Sequence, residues 1–357
     1  MTKSLPWLPM IIGLLAVASP LLAAGPGESS SQALYPYREP VEIRDLTARL
    51  SVLEDPPSQI AALRDWIAKH PANVEAHRAY QDHMNRLGES TSVLAEYQAL
   101  QEKNSDDPMF NFLTARLLAG RDSETFYRKS LALDPNYYWG HLGLAYYFTR
   151  EADPTDIAGA REHLERAAAI DPSKPNAFVG LLTVYLALND GPKYLQTLET
   201  LTKFFPDDDR YFVRYVEGKY SDLTERRTVL EAKAKELPNS GRIQEALGSL
   251  FKAKGQKGPA IERFNEALRL EQQDKQLRAW MHIQIAELHS QDREVEQALI
   301  HLKAAVGIVP QTVLVIKRDP AFAFLQGNAE FEALMKSLPT DPPVKKGAID
   351  TPRPRGL

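Results

Sequence analysis

Residues 139–146 read WGHLGLAY, and residues 160–172 read AREHLERAAAIDP. Trp139, Leu142 and Tyr146 fall at i, i+3 and i+7, which puts them on one stripe of a helix. Gly143 interrupts the stripe without a side chain, so a second helix can approach closely there. Ala160, Leu164 and Ala167 repeat at four and three residues and give a second helix a narrow stripe with small residues at the crossing. Between the two, Glu151-Ala-Asp-Pro154-Thr155 is polar, and its proline cannot continue the first helix. Pro172 stops the second helix.

The spacing W-x2-L-G-x2-Y, then A-x3-L-x2-A, then P, resembles the tetratricopeptide repeat, with a linker about five residues longer than usual. The resemblance implies an all-α fold, a right-handed superhelical solenoid of antiparallel helix pairs. Pro206 lies 34 residues after Pro172, with Phe178, Leu181, Leu182 and Tyr185, then Tyr194, Leu198 and Leu201, between them. Residues 241–272 restore the pattern through Leu247, Gly248, Phe251, a Gly255 turn, Ala260, Phe264 and Ala267. Residues 107–135 give a shorter unit, with Phe110, Leu113, Leu117 and Leu118 on its first helix, a turn at Gly120, and Phe126, Leu131 and Leu133 on its second. Gly88 and Tyr97 mark a weaker unit before it, residues 207–238 a degenerate one, and Ala298, Leu302, Ala305 and Pro310 the last.

The flanks read differently. Lys3 precedes an uncharged apolar run that ends Leu-Leu-Ala-Ala-Gly, the pattern of a signal peptide over residues 1–24. Cleavage is expected after Ala24, with Ala18 as a second candidate. Pro6, Pro9 and Pro20 leave too short an apolar stretch for the roughly 20 residues that a span needs, so an uncleaved anchor is the lesser alternative. Residues 25–45 read as a flexible leader, although a helix over residues 41–53 is also compatible with their edge. Residues 46–310 read as the repeat array and 311–339 as a C-terminal capping segment in which Asn328 begins a helix carrying Phe331, Leu334 and Leu338. Residues 340–357 read as a basic, proline-rich disordered tail.

A net charge of -4 gives no electrostatic footprint for nucleic acid. The absence of cysteine removes disulfides, thiolate catalysis and cysteine-ligated zinc. None of the eight histidines forms His-Glu-x-x-His; His282 and His289 lie seven residues, about 10 Å, apart on a helix, with His301 on its partner helix, too far for joint ligation without a third element between them. Asp106-Asp107 and Asp207-Asp208-Asp209 sit where helix N-caps belong. No phosphate loop or nucleophile elbow is present. The expectation is a chain that is not an enzyme and has no cofactor, metal or catalytic residues.

In the repeats it resembles, first helices line a groove for a peptide. Mapped here, this gives Tyr137, Gly140, Leu144 and Tyr147 in the central unit, Asn176, Val179, Thr183 and Leu186 in the next, and Arg242, Glu245, Ser249 and Lys252 in the 241–272 unit. The groove is expected to run from aromatic at its middle to polar and partly basic, suiting an extended or helical peptide; the alternative is that Tyr137 and Tyr147 pack between repeats. The chain then reads as an exported, periplasmic protein-binding scaffold or assembly factor, without a membrane span once the signal peptide is removed. The competing reading is an accessory subunit of an envelope enzyme, with aromatic residues stacking on sugar rings.

Overall fold

A computed structural model describes residues 41–336 apart from Glu54, Asp153 and Pro154. The expected signal peptide, the leader up to residue 40, Leu338 and the tail lie outside the described residues. The chain forms two compact units that meet in sequence at Phe205 and Pro206.

The first unit contains α1 (Val41–Ser51), α2 (Pro56–Lys69), α3 (Val74–Arg86), α4 (Ser90–Lys103), α5 (Pro108–Ala115), α6 (Gly120–Leu133), α7 (Tyr138–Arg150), α8 (Ile157–Ile170), α9 (Pro175–Ala187) and α10 (Gly191–Phe204). The first five residues of α1 thus lie within the range read as leader. From α3 onward each odd-numbered helix packs on its successor, and α3, α5 and α7 also lie side by side. The second unit contains α11 (Asp209–Lys219), α12 (Leu223–Glu236), α13 (Gly241–Ala253), α14 (Lys257–Leu270), α15 (Lys275–Gln291) and α16 (Val295–Ile308), paired in the same way. Two short helices, α17 (Val313–Ile316) and α18 (Ala329–Met335), follow. The fold is all-α among the described residues, an array of consecutive antiparallel helix pairs.

Local chemistry sets the helix ends. Asp107 accepts a hydrogen bond from the Met109 amide at 2.7 Å, and Asp208 from the Arg210 amide at 3.0 Å, so both acidic runs supply caps as expected. Asp156 caps α8 through the Gly159 amide at 2.8 Å. Glu151, in the inserted linker, reaches back to accept from the first amide of α6, Gly120, at 2.9 Å. In the turns between paired helices Gly88 and Gly255 take φ of 84° and 69°. Asn189 and Arg293 hold the same left-handed conformation at 55°.

Two packing expectations are corrected. α5 ends at Ala115, leaving Leu117 and Leu118 in the turn, and α6 buries Ser123, Tyr127 and Ser130 rather than Phe126, Leu131 and Leu133. Serines occupy the small-residue positions that alanines hold in α8, and Ser130 Oγ donates to the Pro108 carbonyl at 2.7 Å. α7, read as one apolar stripe, is buried nearly all round because α6 and α8 both pack on it. A Cβ on Gly143 would lie 2.2 Å from Tyr127 Cε1. The close approach at Gly143 therefore comes from α6, the second helix of the preceding pair.

At the C-terminal end Val313 and Ile316, at the start of the expected capping segment, make one helical turn with both side chains buried. Asn328 accepts from the Glu330 and Phe331 amides at 3.0 and 3.1 Å, and Phe322, Leu325, Phe331 and Met335 join the core of α15 and α16. No helix among the described residues is long and apolar enough to cross a membrane.

Candidate interaction face

The predicted groove residues divide between the two units. In the first unit, Leu144 on α7 is 1% exposed and Tyr147 is 6% exposed. Tyr137 precedes α7, packs edge-on against Phe112 of α5 with ring centroids 6.2 Å apart, and is half-buried. These three side chains belong to the core, because α7 is enclosed by its neighbours, so Leu144 and Tyr147 offer almost no surface to a ligand. The Tyr137 hydroxyl is buried without a hydrogen-bond partner, and burial raises its pKa. Asn176, Val179 and Thr183 lie together on α9, partly exposed, with Leu186 exposed beyond them.

Sequence reasoning passed over the cations that face this aromatic floor. Arg78 of α3 extends past α5 to place its guanidinium carbon 4.7 Å from the centroid of the Trp139 ring on α7. Lys174, the residue before α9, places Nζ 4.7 Å from the Tyr138 ring and 5.5 Å from the Trp139 ring, and pairs with Asp171 at 3.1 Å. Phe112 packs on Trp139 with centroids 6.0 Å apart. The signal lies in the sequence: Arg78 stands on the first helix of its pair, as the mapped groove residues do, but its unit matches the repeat only at Gly88 and Tyr97, too weakly to assign a groove position.

The second unit behaves differently. Arg242 pairs with Asp274 and lies 3.8 Å from Asp209, and Lys252 pairs with Glu287 and donates to Gln284 at 2.6 Å. The expected partly basic character is therefore corrected, because Asp274, which caps α15, and Glu287 on α15 neutralise both cations. Glu245 accepts from Ser249 Oγ at 2.9 Å, and burial pushes its pKa up to about 7. Burial likewise raises the Glu287 pKa although Lys252 contacts it.

Histidines bridge the two helices of a pair in three places. His77 Nε2 lies 3.0 Å from the Pro71 carbonyl and Nδ1 2.7 Å from Tyr97 Oη; His141 Nε2 lies 3.0 Å from the Pro135 carbonyl and Nδ1 2.8 Å from His163 Nδ1. The carbonyl fixes the tautomer in both: Nε2 donates and Nδ1 accepts. In the second unit His282 Nδ1 and His301 Nδ1 are 3.0 Å apart, and the His289 ring stacks on His301 at 5.8 Å. His301 thus lies between the two histidines whose separation argued against joint ligation. Among the described residues no three metal-ligating side chains are grouped closely enough to hold an ion.

Residues 152–212 match the family model of the tetratricopeptide repeat. Similar solved structures include YrrB, a tetratricopeptide repeat protein with an unusual peptide-binding site (19% identity, 51% of this chain and 94% of that one, TM-score 0.40). Cut9–Hcn1 of the APC/C shares 14% identity over 84% of this chain and 55% of that one, with a TM-score of 0.46. A tetratricopeptide repeat protein from Parabacteroides merdae shares 13% over 67% and 96%, with a TM-score of 0.38. None of the curated proteins matches the chain.

Proposed function

We propose that this chain is an exported, non-catalytic scaffold of the cell envelope that holds a peptide of a partner protein on the inner face of its first unit. The carrying observation is the side-by-side packing of α3, α5 and α7, with the partly exposed Asn176, Val179 and Thr183 on α9 next in order. Matching of residues 152–212 to a repeat family supports the same reading. Two groups with perturbed protonation have structural partners: Glu245 takes the Ser249 hydroxyl, and His301 meets His282. Tyr137 and Tyr147, the aromatic residues of the mapped groove, are half-buried and buried, which leaves little ring surface for stacking on sugars.

The test is selection of hexapeptides against the full chain, repeated with Asn176→Arg and Thr183→Arg combined. Wild-type binding that falls at least tenfold in the variant supports the face; equal binding moves the interface to the second helices. Export is tested separately by N-terminal sequencing of the protein recovered from the envelope. A start at Gly25 is expected, whereas a start at Met1 indicates an uncleaved segment.

A further inference from the structure

Two histidine pairs join the helices of a repeat, one in each unit. His141 on α7 is 8% exposed and His163 on α8 is partly exposed; their Nδ1 atoms lie 2.8 Å apart and their ring centroids 5.1 Å. For His282 on α15 and His301 on α16 the same distances are 3.0 and 5.2 Å. In both pairs the centroid separation exceeds the nitrogen separation by about one ring diameter, so the nitrogens face each other head-on. A proton fits between them, whereas a metal ion on that line would need about 2 Å to each nitrogen. Each contact is therefore an N–H···N hydrogen bond.

The tautomers limit how many protons a pair can hold. His141 donates Nε2–H to the Pro135 carbonyl, so its Nδ1 is bare and His163 donates to it from Nδ1. One added proton goes to Nε2 of His163 and leaves the contact intact, with the Phe148 ring stacked on that imidazole at 5.7 Å. A second has to sit on His141 Nδ1, which sets donor against donor and cation against cation. The count is the same for His282 and His301, whichever of them donates. His77 makes the contrast: its Nδ1 lies 2.7 Å from the Tyr97 hydroxyl, which accepts as readily as it donates, so protonation reverses that bond without breaking it.

The surroundings do not neutralise a second charge. Around the first pair, Asp134 before α7 and Asp156 and Glu162 of the α8 segment are opposed by Arg128 of α6 and Arg166 of α8, and α5 and α9 carry no charged side chain. Around the second, Arg278 and His289 face the pair from α15; Glu294 is held by His289 and by Lys257 of α14, and the C-terminal segment turns Asp319 to Glu287 and Glu330 to Lys303. Burial lowers the pKa of all four histidines, and the partner's charge lowers those of His163 and His301 further.

We propose that the His141–His163 and His282–His301 pairs are acid-sensitive latches, each of which tolerates one added proton and parts on the second, freeing α7 from α8 and α15 from α16. The latches work whatever the inner face holds. Because the folded pairs take up protons less readily than the unfolded chain, the latched state is complete above pH 6.5 and is lost as pH falls below it.

The experiment is amide hydrogen exchange on the full-length chain at pH 7 and pH 4, corrected for intrinsic rates. Protection is expected to fall about tenfold more within residues 138–170 and 275–308 than in α9, α10, α13 and α14, which carry no histidine and report any loosening by carboxylates. His163→Gln, whose amide can donate or accept, should keep residues 138–170 protected at pH 4 and leave 275–308 as in wild type; His301→Gln should do the reverse. Equal loosening in all helices, no loosening, or loosening that persists in the Gln variants overturns the proposal. A readout without any variant is the imidazole nitrogen spectrum of the wild-type protein at pH 7: His163 is expected to carry its proton on Nδ1, and a proton on Nε2 alone removes the head-on bond and the proposal with it.

Discussion

A methyl group at Gly143 would have to enter the Tyr127 ring, at 2.2 Å from Cε1. Overpacking of this kind costs about 1–3 kcal/mol, so Gly143→Ala is expected to lower stability to urea by that amount. Tyr127→Leu in the same chain should recover part of the loss, and a double-mutant cycle over the four proteins reads the coupling. His301 gives a prediction in pH. Burial, with His282 and His289 nearby, lowers its pKa from 6.5 to about 4, so the unfolded chain binds the proton more readily than the folded one. The associated stability is present above pH 6.5 and is lost as pH falls toward 4. His301→Gln should flatten that part of a stability profile measured from pH 7 to pH 4. At this scale the sequence was legible where a residue type has one use: Gly143 was read as a site of close approach and Asp107 as a cap. The identity of the approaching residue was not legible, because Tyr127 belongs to a different pair and its serine neighbours hid the small-large-small spacing.

For single helices, α7 and α5 set the character of the first unit. α7 is enclosed because α6 and α8 both pack on it, which converts Leu144 from an expected ligand contact into a core residue. Leu144→Ala should therefore appear as a stability loss of about 2–5 kcal/mol in denaturant, with peptide affinity changed only through the folded fraction. α5 spans only eight residues, Pro108–Ala115, and the Arg78 side chain passes it to reach Trp139. Helix existence and order were legible from the recurrence of glycine, proline and large apolar residues. Orientation of each helix was less so, since a helix apolar on most sides carries no periodic signal of which side is solvated.

For the whole molecule, the division at Phe205 and Pro206 predicts that damage stays where it is made. In Gly143→Ala, amide hydrogen exchange should accelerate within residues 74–205 and stay at wild-type rates in residues 206–336. Acceleration in both would mean that the two units open together. The recurrence of the helix pair was legible in the sequence. The separation of the proposed groove residues into two units was not, since it depends on the degenerate pair α11 and α12, whose spacing departs from the repeat.

The neighbour-to-neighbour pairing of helices bears on how quickly the chain finds its structure. Each helix packs mainly on the one before and the one after, so the contacts that matter join residues close in sequence. Loop closure is then brief and cheap, and neighbouring helices can pair without waiting for distant segments to meet. The left-handed turns at Gly88, Asn189, Gly255 and Arg293 set the reversal of direction locally. A nucleus can therefore form around any well-made pair, and the polypeptide can acquire structure progressively as it is delivered from one end.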